Sequence, residues 1–292
     1  MKRYVYCFIC FTFLFNNGCE EPSPPSIIGC TDISASNFNP LAEEDNGNCL
    51  YPNSEGLVWS DEFNGNVLDS TKWVHETGNG DWGWGNNELQ YYQAENTFLS
   101  DGTAKIIVRE EEQSGFSYTS SRIKTDGLFT FRYGRVQARM KTMNGRGFWP
   151  AFWLLPSGGD WPCDGEIDIM EQWGTNGITD ETSGAAHLGN CPYSSGQHHY
   201  KSFQTNISNG SYADDFHIYE IRWSEDKIEW YVDELKLYEV IPSMYPSQYN
   251  WPFNSNEWYI ILNLAITNQG PSSITEFPTK LEIDWVRVYD NY

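Results

Sequence analysis

The sequence contains few basic residues. Lys and Arg number 18 against 40 Asp and Glu in 292 residues, which gives a formal net charge of -22 at pH 7. A surface this acidic repels phosphate and sulfate groups. The composition therefore argues against nucleic acid and against anionic polysaccharide as partners, and it fits a neutral substrate or a salty medium.

Long apolar runs are also missing. The apolar run Tyr4–Phe15 is too short to span a bilayer but has the length of a signal-peptide core, and Lys2 and Arg3 precede it. Gly18 and Cys19 follow, in a pattern that resembles a bacterial lipoprotein processing site. We expect residues 1–18 to be a signal peptide and Cys19 to carry lipid at the outer membrane or cell surface. Ordinary secretion is the alternative.

Cysteine is scarce in the remainder of the chain. Of seven cysteines, Cys7 and Cys10 lie in the predicted signal peptide and Cys19 is the predicted lipid site. An even number in an exported protein suggests two disulfides. Three pairings are possible, and the one that closes local loops joins Cys30 to Cys49 and Cys163 to Cys191. Two buried thiols are the alternative for the second pair, and a metal site there lacks ligands at suitable spacing.

The first 35 residues of the predicted exported chain differ from the rest. Residues 20–29 are rich in proline and predict an extended spacer. Residues 30–51 form a small module bounded by cysteines and rich in Asp and Asn. Its acidic loop suggests either calcium binding or a solvated loop closed by a disulfide. We therefore separate residues 19–53 from a catalytic domain at residues 54–292.

From Leu57 onward the sequence predicts strands. There are 13 Trp, 18 Tyr and 16 Phe, helical periodicity is absent, and no internal repeat is found. Apolar-polar alternation with turn residues at close intervals is typical of an all-β fold, and residues 232–235 predict a hairpin turn. We expect a β-jelly-roll sandwich of two curved antiparallel sheets. The predicted strands include residues 104–108, 135–141, 166–170, 216–223, 227–232, 235–240, 258–265 and 281–289.

One short segment contains the candidate catalytic carboxylates. Residues 166–171 read Glu-Ile-Asp-Ile-Met-Glu. Because side chains alternate along a strand, Glu166 and Asp168 share a face, and one bulge residue near Ile169–Met170 returns Glu171 to it. Two glutamates arranged this way reach the separation of roughly 5–6 Å that a retaining glycosidase uses. The alternative is a half-buried strand with a solvated face.

Several motifs, taken in order, resemble glycoside hydrolase family 16, and within it the laminarinases. They span residues 57–289, and the family fold is a β-jelly roll whose concave face is an open cleft. The inserted Met170 matches the bulged form of the motif found in laminarinases. The motifs are residues 59–65, 85–92, 133–140, 147–155, 166–171 and 283–289.

The resemblance assigns roles to the carboxylates. Glu166 matches the nucleophile, Glu171 the general acid/base and Asp168 the helper between them. Glu166 must be ionised to attack, whereas Glu171 must hold a proton for the leaving oxygen. We expect the closeness of the two glutamates to push their pKa values apart.

Other residues match substrate-binding positions of the family. Trp149, Trp153 and Trp173 match or adjoin sugar-stacking positions, with packing in the core as the alternative. His187 is expected to hydrogen-bond a sugar hydroxyl or Glu171. Asn87 matches a sugar-binding loop position. Arg139 is expected to face the cleft together with Gln137, or else to pair with an acid. His198 and His199 are expected in a solvated loop.

The family often carries a structural calcium away from the chemistry. The matching positions are the backbones of Glu62 and Gly102 and the side chain of Asp284, and oxygen ligands suit calcium. A hydrogen-bonded strand acid is the alternative for Asp284. We expect no cofactor for catalysis, and we expect a monomer.

The expected function is endo-hydrolysis of β-1,3-glucan of the laminarin type by a retaining double displacement. Hydrolysis of mixed-linkage β-glucan or of neutral agarose is the alternative activity. A non-catalytic glucan-binding protein is the competing class, although such proteins generally lose a catalytic carboxylate and all three are present here.

Overall fold

A computed structural model describes residues 26–31, 35, 37–47, 49, 55–174, 177–194, 196–272 and 275–291. The predicted signal peptide and Cys19 lie outside the described residues. The chain divides between residues 51 and 52 into two compact units. No helix within the described ranges is both long and apolar enough to cross a membrane.

The first unit contains a short parallel pair of strands, β1 (Ile28–Gly29) and β2 (Glu44–Asp45). A disulfide joins Cys30 to Cys49, so the predicted local pairing is confirmed. Cys30 is buried, and Ala35 packs beside it. This small core depends on the disulfide, since so few apolar side chains bury little surface.

The second unit is built from two sheets, whose strands we number along the chain. The outer sheet has the path β17-β16-β15-β10-β19-β7-β8-β5, with β3 beside β19 and β6 beside β7. Its strands are β3 (Leu57–Asp61), β5 (Gln90–Tyr92), β6 (Thr97–Ser100), β7 (Thr103–Gln113), β8 (Phe116–Ser120), β10 (Gly134–Lys141), β15 (His217–Ser224), β16 (Lys227–Val232), β17 (Leu235–Val240) and β19 (Thr279–Tyr289).

The other sheet, which we call the cleft sheet, has the order β14-β13-β12-β11-β18-β9-β4. Its strands are β4 (Val74–Glu76), β9 (Arg122–Lys124), β11 (Phe148–Pro156), β12 (Glu166–Glu171), β13 (Glu181–Gly189), β14 (His198–Asn206) and β18 (Trp258–Ile266). Short 3-10 turns occur at Ala94–Asn96, Pro242–Met244 and Pro252–Asn254.

Alternation along the strands creates the core between the sheets. In β10, Val136, Ala138 and Met140 are fully buried while the residues between them are half-buried. Phe152 and Ile167 of the cleft sheet belong to the same buried cluster. Burying each large apolar side chain contributes about 1.5–3 kcal/mol. The all-β sandwich of curved antiparallel sheets is therefore confirmed.

The predicted hairpin between β16 and β17 is also confirmed. Val232 pairs with Leu235 across the turn. Asp233 and Glu234 have φ angles of 48° and 69°, the left-handed conformation that a tight two-residue hairpin turn requires at both positions.

Candidate active site

Strand β12 carries the predicted bulge. Toward β13, Asp168 pairs with Ala185 and Glu171 with Ser183, so three steps on β12 span two steps on its neighbour. Ile169 and Met170 are consecutive residues and both are buried. The extra residue returns Glu171 to the face that Glu166 and Asp168 occupy, because a regular strand would have sent Glu171 into the core.

A tryptophan from the opposite sheet holds this bulge. The indole Nε1 of Trp230 donates a hydrogen bond of 2.8 Å to the backbone oxygen of Asp168, and both groups are buried. A Cβ at Gly184 would lie 2.7 Å from that oxygen and 2.7 Å from the indole nitrogen. Glycine at position 184 therefore leaves room for the contact that satisfies the carbonyl at the bulge.

His187 lies beside two of the three carboxylates. It is directly opposite Glu166 on β13. Its Nε2 lies 3.0 Å from Oδ2 of Asp168 and 4.0 Å from Oε1 of Glu166, and the Asp168 side chain is only 7% exposed. The closest carboxylate contact of His187 is therefore with Asp168 and not with Glu171, which was one of the two partners predicted from the sequence.

Burial dominates the electrostatics of the cluster. It raises the pKa of Glu166 to about 8, with the charge of Asp168 adding to the effect and that of His187 opposing it. Burial likewise raises the pKa of Asp168 to about 8. The pKa of Glu171 also rises to about 8, by burial and then by Asp168. Burial and the neighbouring carboxylates thus raise the pKa of both glutamates, and the separation between the two values stays a prediction.

Trp149 contacts Glu171 directly. Its indole Nε1 donates a hydrogen bond of 3.0 Å to Oε1 of Glu171, which favours the charged carboxylate. The Trp149 ring packs against Trp173 with centroids 5.8 Å apart. These two rings line one cleft of about 380 Å³ together with Arg146 and Asn86. The structure thus brings Trp149 and Trp173 together beside Glu171.

Trp153 lies on the cleft face as well, where it pairs with Asp168 across the strands. Its Nε1 donates a hydrogen bond of 2.7 Å to Oδ1 of Asn263. Arg122 packs over the Trp153 ring at 4.8 Å and over Trp84 at 4.3 Å, while its guanidinium pairs with Glu76. No sequence signal marks Arg122, because a single arginine in a short strand carries no motif.

Asn87 is exposed, with a left-handed φ of 56°. Its neighbour Asn86 lines the cleft beside Trp149 and donates a hydrogen bond to Glu88 at 3.2 Å. The predicted loop therefore reaches the cleft, with Asn86 at the lining position.

Arg139 does not face the cleft, which corrects the sequence-based expectation. It lies on β10 of the outer sheet, where its neighbours Ala138 and Met140 point into the core. Arg139 therefore points away from the core on the far side of the sandwich, and its guanidinium pairs with Asp284. The alternative, a structural partner for an acid, is the one observed.

The same ion pair bears on the predicted calcium site. Asp284 would supply the charged ligand there, yet the positive charge of Arg139 already neutralises it. The carboxylate of Glu62 pairs with Arg287 at 2.7 Å, and Gly102 sits in a turn with φ of 71°. Two of the three predicted ligands are backbone oxygens, which these side-chain ion pairs do not involve, so the calcium site stays a prediction in which Arg139 would compete with the ion for Asp284.

Among the described residues, one group of acidic and histidine side chains has ligand atoms within 4.8 Å of one another, namely Glu166, Asp168 and His187. Their mutual contacts account for this closeness. We assign no metal to these residues.

His198 is a residue that the sequence analysis missed. It was expected in a solvated loop, but it begins β14. Its Nε2 lies 2.8 Å from Nδ1 of His187, and Trp161 packs over its ring at 4.8 Å. The adjacent histidine pair at residues 198–199 was the only signal, and it did not reveal which neighbour the strand would meet.

A disulfide joins Cys163 to Cys191, as the local pairing predicted. It ties the loop before β12 to the segment after β13. Both loops flank His198, since Trp161 precedes Cys163 and contacts the His198 ring.

Comparisons with known proteins agree with one another. A family model described as "Glycosyl hydrolases family 16" matches residues 77–287. The chain is 36% identical over 264 residues to "Glucan endo-1,3-beta-glucosidase A1" of Niallia circulans, covering 80% of this chain and 37% of that protein. It is 36% identical over 250 residues to "Beta-glucanase" of Rhodothermus marinus, covering 80% of this chain and 84% of that protein.

Solved structures give the same result. The laminarinase catalytic domain from Thermotoga maritima is 37% identical, with a TM-score of 0.73, covering 81% of this chain and 98% of that one. The chain thus spans little more than a third of the Niallia protein but nearly all of the Thermotoga catalytic domain.

Proposed function

Because the chain belongs to glycosyl hydrolases family 16, we propose that it is an endo-β-1,3-glucanase that cleaves laminarin-type glucan with retention of configuration. One observation carries the proposal. The bulge in β12 brings Glu171 to the face that holds Glu166 and Asp168, and relatives with the same architecture are named for this activity.

The proposed reaction uses the chain's own carboxyl groups and no cofactor. Glu171, holding a proton, protonates the glycosidic oxygen while ionised Glu166 attacks the anomeric carbon and forms a glycosyl ester. Glu171, now ionised, then takes a proton from a water molecule whose oxygen attacks the anomeric carbon, which displaces the Glu166 carboxylate and restores the β configuration. Asp168 lies between the two glutamates in the strand and contacts His187, with Oδ2 3.0 Å from Nε2.

Aromatic side chains support a neutral sugar chain. Three tryptophan rings in the cleft are half-buried, and apolar sugar faces stack on such rings. Trp149 and Trp173 lie in one part of the cleft and Trp153 in another. The net charge of -22 disfavours sulfated galactans, since a sulfate needs basic partners. A neutral glucan is therefore the substrate we propose.

A panel of polysaccharides tests the proposal. The protein would be incubated with laminarin, lichenan, agarose and carrageenan, followed by product sizing and proton NMR of the first-formed anomer. We expect internal cleavage of laminarin and a β anomer first. An α anomer, or cleavage of agarose in preference to laminarin, would refute the assignment.

A glutamate substitution separates an enzyme from a binding protein. Glu166→Ala should abolish the formation of reducing ends while leaving laminarin binding measurable. Glu239→Gln, which removes an exposed glutamate from edge strand β17, is the matched control and should retain full activity. A binding protein would release no reducing ends in any version.

We also propose that the protein is exported and anchored by lipid at Cys19. The basic residues, the apolar run and the cysteine at residues 2–19 support this. The full chain expressed in a Gram-negative host should partition into detergent and incorporate labelled fatty acid, whereas Cys19→Ser should do neither. An unlabelled wild-type protein in the medium would favour ordinary secretion.

A further inference from the structure

Two neighbours can carry a charge that compensates Glu166, namely Arg122 and His187, and His187 has its Nε2 4.0 Å from the carboxylate oxygen. Burial raises the pKa of Glu166 to about 8, although a nucleophile must be ionised to attack. His187 opposes that rise only when its imidazole is positively charged. A protonated His187 needs a hydrogen-bond acceptor on each ring nitrogen, because both nitrogens then carry a proton.

The structure supplies both acceptors. Asp168 Oδ2 lies 3.0 Å from Nε2 of His187, and Nε2 of His198 lies 2.8 Å from Nδ1. The register explains the second contact. His187 is directly opposite Tyr200 on β14, and His198, two residues earlier on the same face, is the diagonal neighbour. The two imidazole planes differ by 11° and their centroids lie 5.0 Å apart, so the rings are nearly parallel.

We propose that His198 is a positioning residue whose neutral imidazole accepts a hydrogen bond from His187 and holds His187 in the doubly protonated form facing Asp168 and Glu166. The protons balance in this arrangement. His187 donates one N–H to Asp168 and the other to His198, and His198 keeps its own proton on Nδ1. This inference rests on the proposed hydrolase function, to which it adds one residue.

The surroundings keep His198 neutral. Burial lowers the pKa of its imidazole, and the nearby His187 and His199 lower it further. Trp161 covers its ring at 4.8 Å. A Cβ at Gly189 would lie 2.6 Å from Pro162, so glycine lets this loop approach, and the Cys163–Cys191 disulfide tethers it.

The other charged and aromatic groups around His187 and His198 determine the electrostatic environment of the two imidazoles. Asp168, Glu166 and, at greater distance, Glu171 act on His187 from β12. Tyr193 and Tyr200 contact the His198 ring. His199 faces the other side of β14, where it packs on Tyr249 at 4.3 Å. The described contacts thus place carboxylates on one side of His187 and a neutral acceptor on the other.

The pH dependence of kcat/KM on laminarin tests the proposal. His198→Phe keeps a ring but removes the acceptor, so the acid limb should move to higher pH by about one unit, a tenfold loss on that limb. His198→Gln offers an amide oxygen as acceptor and should keep the limb near the wild-type position. His199→Gln is the matched control and should leave it unchanged.

Two outcomes would overturn the proposal: an unmoved acid limb in His198→Phe, or an equal shift in His198→Gln. If the variants misfold, a measurement on the wild-type protein still tests the proposal. Nitrogen NMR of the five histidines should show His187 doubly protonated at pH 7, and a neutral His187 would refute the proposal. If wild-type protein leaves laminarin intact, the function fails while the NMR result still decides the role of His198.

Discussion

The hydrogen bond from Trp149 to Glu171 makes a quantitative prediction about the general acid. The indole N–H lies 3.0 Å from the carboxylate oxygen and stabilises the charged form. Trp149→Phe removes the donor and keeps an aromatic ring. Losing this hydrogen bond destabilises the ionised form of Glu171 more than the protonated form, so the pKa of Glu171 must rise.

The size of the shift follows from the strength of such bonds. A hydrogen bond to a charged group contributes about 1.5–3 kcal/mol, and one pKa unit corresponds to about 1.4 kcal/mol. The protonated carboxyl still accepts a weaker bond, so the net shift should be about one unit. Since Glu171 must hold a proton to act, the alkaline limb of kcat/KM should move to higher pH.

The assay is initial-rate kinetics on a β-1,3-glucan oligosaccharide at low substrate concentration between pH 4 and about 10, a range that spans ordinary carboxyl and raised values. Trp153→Phe is the matched control, because its indole bonds Asn263 instead of a carboxylate. That variant should leave the alkaline limb in place. An unmoved limb in Trp149→Phe, or an equal shift in both variants, would refute the assignment of Glu171 as the acid.

Three further predictions concern stability and the outer sheet. Burial raises the pKa of Asp168 from its ordinary value of 3.8 to about 8, so the native state binds more protons than the unfolded state and stability falls as pH rises through this window. The Tm of Asp168→Asn should therefore rise relative to that of wild type from pH 4 to pH 8, and a constant difference in calorimetry would contradict this. Gly184→Ala forces a Cβ to 2.7 Å from the Asp168 oxygen and should lower the free energy of unfolding by about 1–3 kcal/mol in denaturant. Unchanged stability would mean that the bulge tolerates the methyl group. Arg139→Gln should leave the KM for laminarin unchanged and lower the free energy of unfolding by only about 0–1 kcal/mol, since the ion pair of Arg139 lies on the outer sheet. A raised KM would indicate instead that Arg139 contacts the substrate.

Local patterns predicted much of the fold and of the carboxylate cluster. The hairpin at residues 232–235, the bulge in β12 and both disulfides follow from turn chemistry, alternation and loop closure, each of which is decided by residues close in sequence or by simple pairing. The family resemblance added the roles that the three carboxylates are proposed to perform.

The errors have a common physical origin. Alternation correctly placed Arg139 and Gln137 on the same face of β10, yet it could not tell whether that face lay over the cleft or on the opposite side of the sandwich. His198 was missed for a related reason. Its partner His187 is set by the register between β13 and β14, and register depends on pairings that a single strand's sequence does not contain.

The most direct test of the double-displacement account is to trap its covalent intermediate. A laminari-oligosaccharide bearing fluorine at C2 and a good leaving group at C1 slows ester hydrolysis, so the glycosyl-enzyme accumulates and peptide mass spectrometry locates the sugar. We predict one sugar per chain, esterified to Glu166. A label on Glu171 or Asp168, or turnover with no labelled peptide and an inverted product, would contradict the account.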